Sequence, residues 1–160
     1  MTTMPQRRGR AIAMTPQEVG TFLGVEIICR VATGGQAGPH LSALYFVWDG
    51  AAIWLYSLTR SQRWTDLERE PRVAVLVDAG VEYHELRGVE IRGRAVPVGE
   101  IPRTGEPDER LAHPEQLFAA KYHGGGAMAH DRRHAWLRIE PDKITSWDFR
   151  KLDPALARKE

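Results

Sequence analysis

Residues 40–58 read HLSALYFVWDGAAIWLYSL, and this stretch is the strongest indicator of the fold. Two apolar runs, residues 40–48 and 51–58, flank the pair Asp49-Gly50. An Asp-Gly pair is typical of a tight hairpin turn, because that turn needs positive φ angles that both residues tolerate. The stretch therefore predicts two antiparallel strands joined at Asp49-Gly50.

Further strands are predicted on both sides of this hairpin. Short runs with apolar or alternating character, bounded by Gly, Pro or Asp, predict strands over residues 25–33, 72–78, 84–98, 134–140 and 143–149. The last two are expected to be joined by a turn at Pro141-Asp142. Neither this turn nor Asp49-Gly50 leaves room for the crossover helix that a parallel sheet requires.

Helical signals are fewer than strand signals. Thr15-Pro16-Gln17-Glu18 has the form of a capping box, and residues 61–70 and 108–122 carry helix formers after Ser and Asp. Many short strands with few helices predict an all-β protein with minor helices. We expect a six-stranded antiparallel split β-barrel with Greek-key connections, because closing the sheet removes its exposed edges.

The chain has 160 residues, which suits one domain. We expect a flexible N-terminal arm over residues 1–13, a barrel domain over residues 14–152 and a tail over residues 153–160. The formal net charge of +1 indicates no general attraction to nucleic acid or to a membrane surface. The single cysteine, Cys29, lies in an apolar run and is expected to be buried, and the absence of a long apolar run or signal-type segment favours a cytoplasmic protein.

The segment Thr59-Arg60-Ser61-Gln62-Arg63 lies where a strand is expected to end and a helix to begin. Free backbone amides at a helix start, two guanidinium groups and several hydroxyls are well suited to a phosphate. The alternative is a capped surface helix with solvated arginines. A metal site is not predicted, because His130 and His134 have no accompanying cluster of carboxylates or cysteines.

The order of these motifs resembles the FMN-binding split β-barrel superfamily that includes pyridoxamine 5'-phosphate oxidase. The segment 59–63, followed by Leu67 and by Glu70-Pro71-Arg72-Val73-Ala74-Val75, carries the resemblance. Leu86-Arg87-Gly88-Val89, Gly93 and the run 145–152 are similar to the actinobacterial branch whose oxidoreductases use flavin or the deazaflavin F420. The resemblance covers about residues 15–152.

The resemblance implies a set of cofactor-binding residues. One strand is expected to face the cofactor ring and the next to contact the cofactor through two residues. A third group is expected to hold the phosphate, and a fourth to reach the cofactor of a second subunit in a homodimer. In that order the four groups are His40, Leu41, Ser42, Ala43 and Leu44; Tyr56 and Ser57; Arg60, Ser61, Gln62 and Arg63; and Trp147, Arg150 and Lys151, with Arg87 as a further candidate that lines an anionic groove or pairs with Glu85.

The sequence differs from true pyridoxamine phosphate oxidases at position 88. It has Gly88 where those enzymes have a glutamine that contacts the flavin. Oxidation of vitamin B6 is therefore not expected. The resemblance implies an F420-dependent oxidoreductase that transfers a hydride between the coenzyme and a small organic acceptor. The alternatives are an FMN-dependent oxidase or reductase, and a flavin, deazaflavin or haem binder without turnover. No side chain is assigned as a proton donor, and Trp147 has the alternative role of a core aromatic.

Overall fold

The computed structural model describes residues 3–152, so the predicted tail of residues 153–160 lies outside the described residues. Within this range six antiparallel strands form a closed barrel in the order β1-β2-β3-β6-β5-β4. The strands are β1 Ile28–Gly35, β2 Gly38–Trp48, β3 Ile53–Leu58, β4 Arg72–Ala79, β5 Arg87–Val98 and β6 His134–Asp148. The predicted fold class is confirmed.

Three α-helices accompany the barrel in the described part of the chain: α1 Pro16–Val25, α2 Gln62–Arg69 and α3 Glu109–Tyr122. The predicted capping box begins α1, since Thr15 Oγ1 accepts a hydrogen bond from the Glu18 amide and Glu18 accepts one from the Thr15 amide. Ser61 caps α2 and Asp108 caps α3. No helix within residues 3–152 is long and apolar enough to cross a membrane.

The core has two parts. Inward side chains of the strands, with apolar residues of α1 and α2, fill the barrel, and Cys29 is fully buried there as predicted. The second part lies outside the barrel wall, where α3 packs against Trp54 and Trp136. Trp136 is fully buried, and its indole N–H donates to Glu115 of α3. The helix is thereby fixed to the outer side of β3 and β6.

The hairpin at residues 40–58 is confirmed, but its turn is longer than predicted. Trp48 pairs with Ile53, so residues 49–52 form the connection. Asp49 Oδ1 accepts hydrogen bonds from the amides of Ala51 and Ala52, and Gly50 has a φ of 96°. The Asp carboxylate organises the wider loop by accepting these amides.

The predicted turn at Pro141-Asp142 is wrong. Residues 134–148 form one 15-residue strand, and the register between β5 and β6 shifts between Arg92 and Gly93. A bulge absorbs the extra residue, and Pro141 is tolerated there because a bulge leaves a ladder amide unused. Gly93 makes it possible, since a Cβ at this position would lie 1.9 Å from the Glu140 carbonyl oxygen.

Residues of the N-terminal segment contact β6 of the same chain. Met4 donates its amide hydrogen to the Asp142 carbonyl, and Gln6 exchanges hydrogen bonds with the backbone of Ser146. Arg10–Ile12 form one 3₁₀ turn. The flexibility expected for residues 1–13 stays a prediction.

Candidate functional site

A buried arginine is the centre of the candidate site. Arg63, in the first turn of α2, is only 7% exposed. Its Nη1 donates to Ser42 Oγ at 2.6 Å, while Nε and Nη2 donate to Ser57 Oγ at 3.2 and 3.1 Å. Three residues predicted from separate motifs therefore meet at one guanidinium group.

Strand alternation explains why these three residues meet. Ser42 pairs with the buried Val31 across β1 and β2, so both side chains point to the same, inner side of the barrel. Ser57 lies on the inner face of β3 and is fully buried. The cap at Ser61 sets the start of α2, and the helix then places Arg63 against both hydroxyls.

The electrostatics of this cluster favour an anion. Among residues 3–152, no carboxylate forms an ion pair with Arg63, whose contacts are neutral hydroxyls. Burial lowers the pKa of Arg63, although a guanidinium group stays charged in proteins. A buried cation without a counter-charge is unfavourable, and a phosphate oxygen would supply that charge. The cluster therefore fits the phosphate of a coenzyme.

The other residues of the predicted phosphate segment have different partners. Ser61 Oγ accepts from the Trp64 amide and donates to the Leu58 carbonyl. Gln62 donates to Asp66 at 2.8 Å, and Arg60 is exposed. Only Arg63 of this segment joins the two serines.

Asp66, three residues after Arg63 in α2, is 1% exposed. Hydrogen bonds from Gln62 and from Thr33 Oγ1 lower the pKa of its carboxyl group. His40 pairs with Thr33 across β1 and β2, and its Nδ1 is buried without a hydrogen-bond partner among the described residues. Gln62 and His40 therefore lie near Asp66, and neither forms a hydrogen bond with Arg63 among the described residues.

The expected ring-facing strand presents two different faces. The side chains of Ser42 and Leu44 point inward, opposite Val31 and Cys29. Leu41, Ala43 and Tyr45 point outward; Leu41 is 67% and Tyr45 is 49% exposed. An outer barrel surface with large exposed apolar side chains is typical of an interface.

Tyr56 lies on the outer side of β3, away from Arg63. Its ring stacks on the His134 ring with 4.9 Å between the ring centroids, and it packs against Trp136 and Phe118. Burial raises the pKa of its hydroxyl to about 12. His134 in turn bonds Asp131 through Nδ1 at 2.6 Å, a pairing that the sequence pattern did not indicate.

The four remaining predicted residues lie at the end of the barrel where β5 begins and β6 ends. They are Arg87, Trp147, Arg150 and Lys151. Ser57 pairs with Ala135 near the start of β6, whereas Trp147 is next to its end. Trp147 packs on Gly88, where a Cβ would lie 2.4 Å from the indole ring. Arg87 is near the Phe22 ring, Arg150 bonds Asp148, and Lys151 bonds Glu18. The protomer does not bring these residues to Arg63.

A second feature near the site is a cavity of about 560 Å³ beside the end of β3. Arg60 contributes to it from the predicted segment. Arg132 and Arg133 enter from the loop before β6, because Leu58 of β3 pairs with His134. The sequence shows that Arg132 and Arg133 are adjacent, which was the one indication of a basic site. Only the pairing of β3 with β6 shows that they lie beside Arg60.

Together these features define a β-barrel protein with a buried arginine, unpaired with any carboxylate of the described residues, at a strand–helix junction. The family model described as pyridoxamine 5'-phosphate oxidase matches residues 15–148. The chain belongs to this family.

Solved structures agree with the family assignment. A conserved hypothetical protein from Mycobacterium tuberculosis is 31% identical, with a TM-score of 0.76 over 93% of this chain and 92% of that chain. An FAD-binding protein from Mesorhizobium loti is 17% identical, with a TM-score of 0.64 over 84% and 93%. An F420 reductase is 22% identical, with a TM-score of 0.56 over 78% of this chain and 93% of that chain. The FAD-binding protein and the F420 reductase show a shared fold alone. No curated protein matches the chain significantly.

Proposed function

We propose that this protein is an F420-dependent oxidoreductase that acts on a small organic acceptor. The observation that carries the proposal is the buried Arg63, held by Ser42 and Ser57 and without a carboxylate partner among the described residues. In this role Arg63 binds the coenzyme phosphate. The two serines fix the guanidinium group in position before the coenzyme arrives, which lowers the entropic cost of binding.

Gly88 supports a deazaflavin over FMN. By resemblance, pyridoxamine phosphate oxidases have a flavin-contacting glutamine here, and Trp147 occupies the space that such a side chain needs. The chain therefore lacks one polar contact to a flavin ring. F420, when bound, supplies the hydride. The protein's own contribution is to hold the coenzyme and the acceptor together and to exclude water.

In this proposal the protein acts as a homodimer. The outward residues Leu41 and Tyr45 supply an apolar surface on β2 that a second copy would bury. Trp147, Arg150 and Lys151, which lie at the end of β6 and in the turn after it, would then approach the coenzyme of the partner. Replacing Leu41 by Arg is expected to shift the protein toward monomers in sedimentation velocity. A Val81→Arg variant is the control, since Val81 is also exposed but lies in the loop between β4 and β5.

FMN is the second candidate coenzyme. The Arg63 cluster would hold the phosphate of FMN equally well, and the chain's family is described by an oxidase. An FMN-dependent oxidase or reductase is thus the alternative activity.

Separate titrations of the purified protein with F420, FMN and haem distinguish these functions. We expect saturable binding of F420, followed through its fluorescence, and weaker binding of FMN. Tight FMN binding with indifference to F420 would overturn the proposal in favour of the alternative. Binding of haem alone would indicate a protein without hydride transfer.

A further inference from the structure

The cavity beside the end of β3 has an unusual charge. Three of its lining residues are arginines, Arg60, Arg132 and Arg133, and none is acidic. The remaining lining residues are Leu58, Thr59, Ser61 and Pro102. We call this feature the arginine cavity.

The three guanidinium groups of the arginine cavity have no ion-pair partner within residues 3–152. Some other arginines of the barrel surface do have one, as Arg72 has Glu70 and Arg92 has Glu90. Positive charges collected in one concave site raise the local potential and attract anions. Planar guanidinium groups also match the oxygen geometry of phosphates and carboxylates.

Backbone contacts fix the walls of the cavity. The amide and hydroxyl of Thr59 both donate to the Arg133 carbonyl, at 3.0 and 3.1 Å. Asp131 Oδ1 accepts from the amides of Arg133 and His134, which orders the loop before β6. Arg132 has a φ of 58°, a left-handed conformation that persists in a non-glycine residue only when its surroundings impose it.

The third wall is fixed as well. The amide of Arg103 donates to the His134 carbonyl at 2.8 Å, which holds the Pro102 loop against the start of β6. Hydrogen bonds thus hold the backbone on all three sides of the cavity.

We propose that the arginine cavity is a second oxyanion site, separate from the Arg63 cluster, that binds a phosphate or carboxylate group. Two sources have this chemistry: the acidic tail of the coenzyme and a separate anion such as a substrate phosphate. The first source rests on the proposed function, because it requires F420 to be the coenzyme. The anion site itself does not.

The test compares an Arg132→Asn and Arg133→Gln double variant with wild type. Asn tolerates the left-handed conformation at position 132, so the loop is preserved. An Arg110→Gln variant is the control, because Arg110 is exposed on α3 and pairs with Asp108. The probes for calorimetry are F420 with its acidic tail, F420 stripped of that tail but retaining its phosphate, and inorganic pyrophosphate.

If the tail is the anion, the double variant binds tailed F420 at least about tenfold more weakly, since each charged hydrogen bond contributes a factor of this order. The double variant then binds tail-free F420 with wild-type affinity. The Arg110→Gln control binds both forms of F420 with wild-type affinity. If the anion is separate, both forms of F420 bind equally and only pyrophosphate is lost. The pyrophosphate titrations use an Arg63→Met background, so that the Arg63 cluster does not contribute.

Unchanged affinity of the double variant for all three probes would refute the site. Wild type that binds neither form of F420 would refute the proposed coenzyme, and the pyrophosphate titration would then decide the anion site alone. In that case, absence of pyrophosphate binding by the Arg63→Met protein also refutes it. Circular dichroism of each variant verifies that the barrel is folded.

Discussion

Two arginines of this protein are almost equally buried but differ in their partners. Arg103, 3% exposed, bonds Glu115 and Glu100 and also donates to the Glu106 carbonyl. Arg63, 7% exposed, bonds only the hydroxyls of Ser42 and Ser57. Hydrogen bonding to Glu115 raises the pKa of Arg103, whereas burial lowers that of Arg63.

The difference separates a structural arginine from the arginine that we propose binds the coenzyme. The charge of Arg103 is neutralised within the chain, and its bonds fasten the Pro102 loop to α3. The charge of Arg63 is left without a counter-charge among the described residues, so a bound anion gains the full interaction. Burial alone does not identify a site, and the presence or absence of a carboxylate is the informative property.

The largest expected effect is on stability at Arg103. An Arg103→Gln variant leaves Glu115 and Glu100 without their cation, and breaking a buried ion pair from one side costs about 3–5 kcal/mol of unfolding free energy. Urea denaturation followed by tryptophan fluorescence measures the loss. The exposed pair of Arg110 with Asp108 is the matched control, and Arg110→Gln is expected to cost far less, because solvent screens this pair.

The second effect is on binding at Arg63. An Arg63→Met variant removes an uncompensated buried charge and keeps an apolar chain of similar length, so the unfolding free energy stays within about 1 kcal/mol of wild type or rises. Coenzyme affinity falls by about 1.5–3 kcal/mol, roughly tenfold or more. Denaturation and titration of the same preparation give both values. A large loss of stability with unchanged affinity would make Arg63 a structural residue like Arg103.

A smaller effect is expected at Ser57, which accepts two hydrogen bonds from Arg63. Ser57→Ala leaves two donors of a buried cation unsatisfied and is expected to cost about 1–2 kcal/mol of unfolding free energy. In the Arg63→Met background the same substitution is expected to cost less, because the donors are gone. Equal costs in both backgrounds would mean that the hydroxyl does not support the guanidinium group.

Local patterns predicted much of the barrel but not its long-range details. The alternation in residues 40–58 and the caps at Thr15 and Ser61 depend on neighbouring residues, and those elements were predicted correctly. The continuity of β6 depends on Gly93 in another strand, which lets the chain bulge at Pro141. That relation is invisible in residues 134–149 alone.

The candidate site shows the same division. Ser42, Ser57 and Arg63 were predicted through a family resemblance, since no local rule brings β2, β3 and α2 to one point. The ion-pair network of Arg103 was not predicted, and neither was the position of Arg132 and Arg133. Their placement follows from the pairing of β3 with β6, which joins residues far apart in the sequence.

The smallest expected effect is on how the free energy of unfolding falls at acidic pH. This effect sharpens the comparison of Arg103 with Arg63. Hydrogen bonds from Thr104 and Arg103 lower the pKa of Glu100 to about 2 from an ordinary value near 4.5. The pKa of Glu115 is also lowered, since the hydrogen bonds from Arg103, His130 and Trp136 outweigh the opposing effect of burial.

Between about pH 4.5 and pH 2 the unfolded chain therefore binds more protons at these glutamates than the folded chain does. The stability that they contribute is complete above pH 4.5 and declines as the pH falls toward 2. Because the Arg63 cluster holds no carboxylate, it adds nothing to this decline. A Glu100→Gln variant should lose less of its remaining stability over that range than wild type, measured as the urea midpoint at each pH. Arg63→Met should follow the wild-type curve, and a flattened acid limb in Arg63→Met would show that an acidic group is coupled to Arg63 after all.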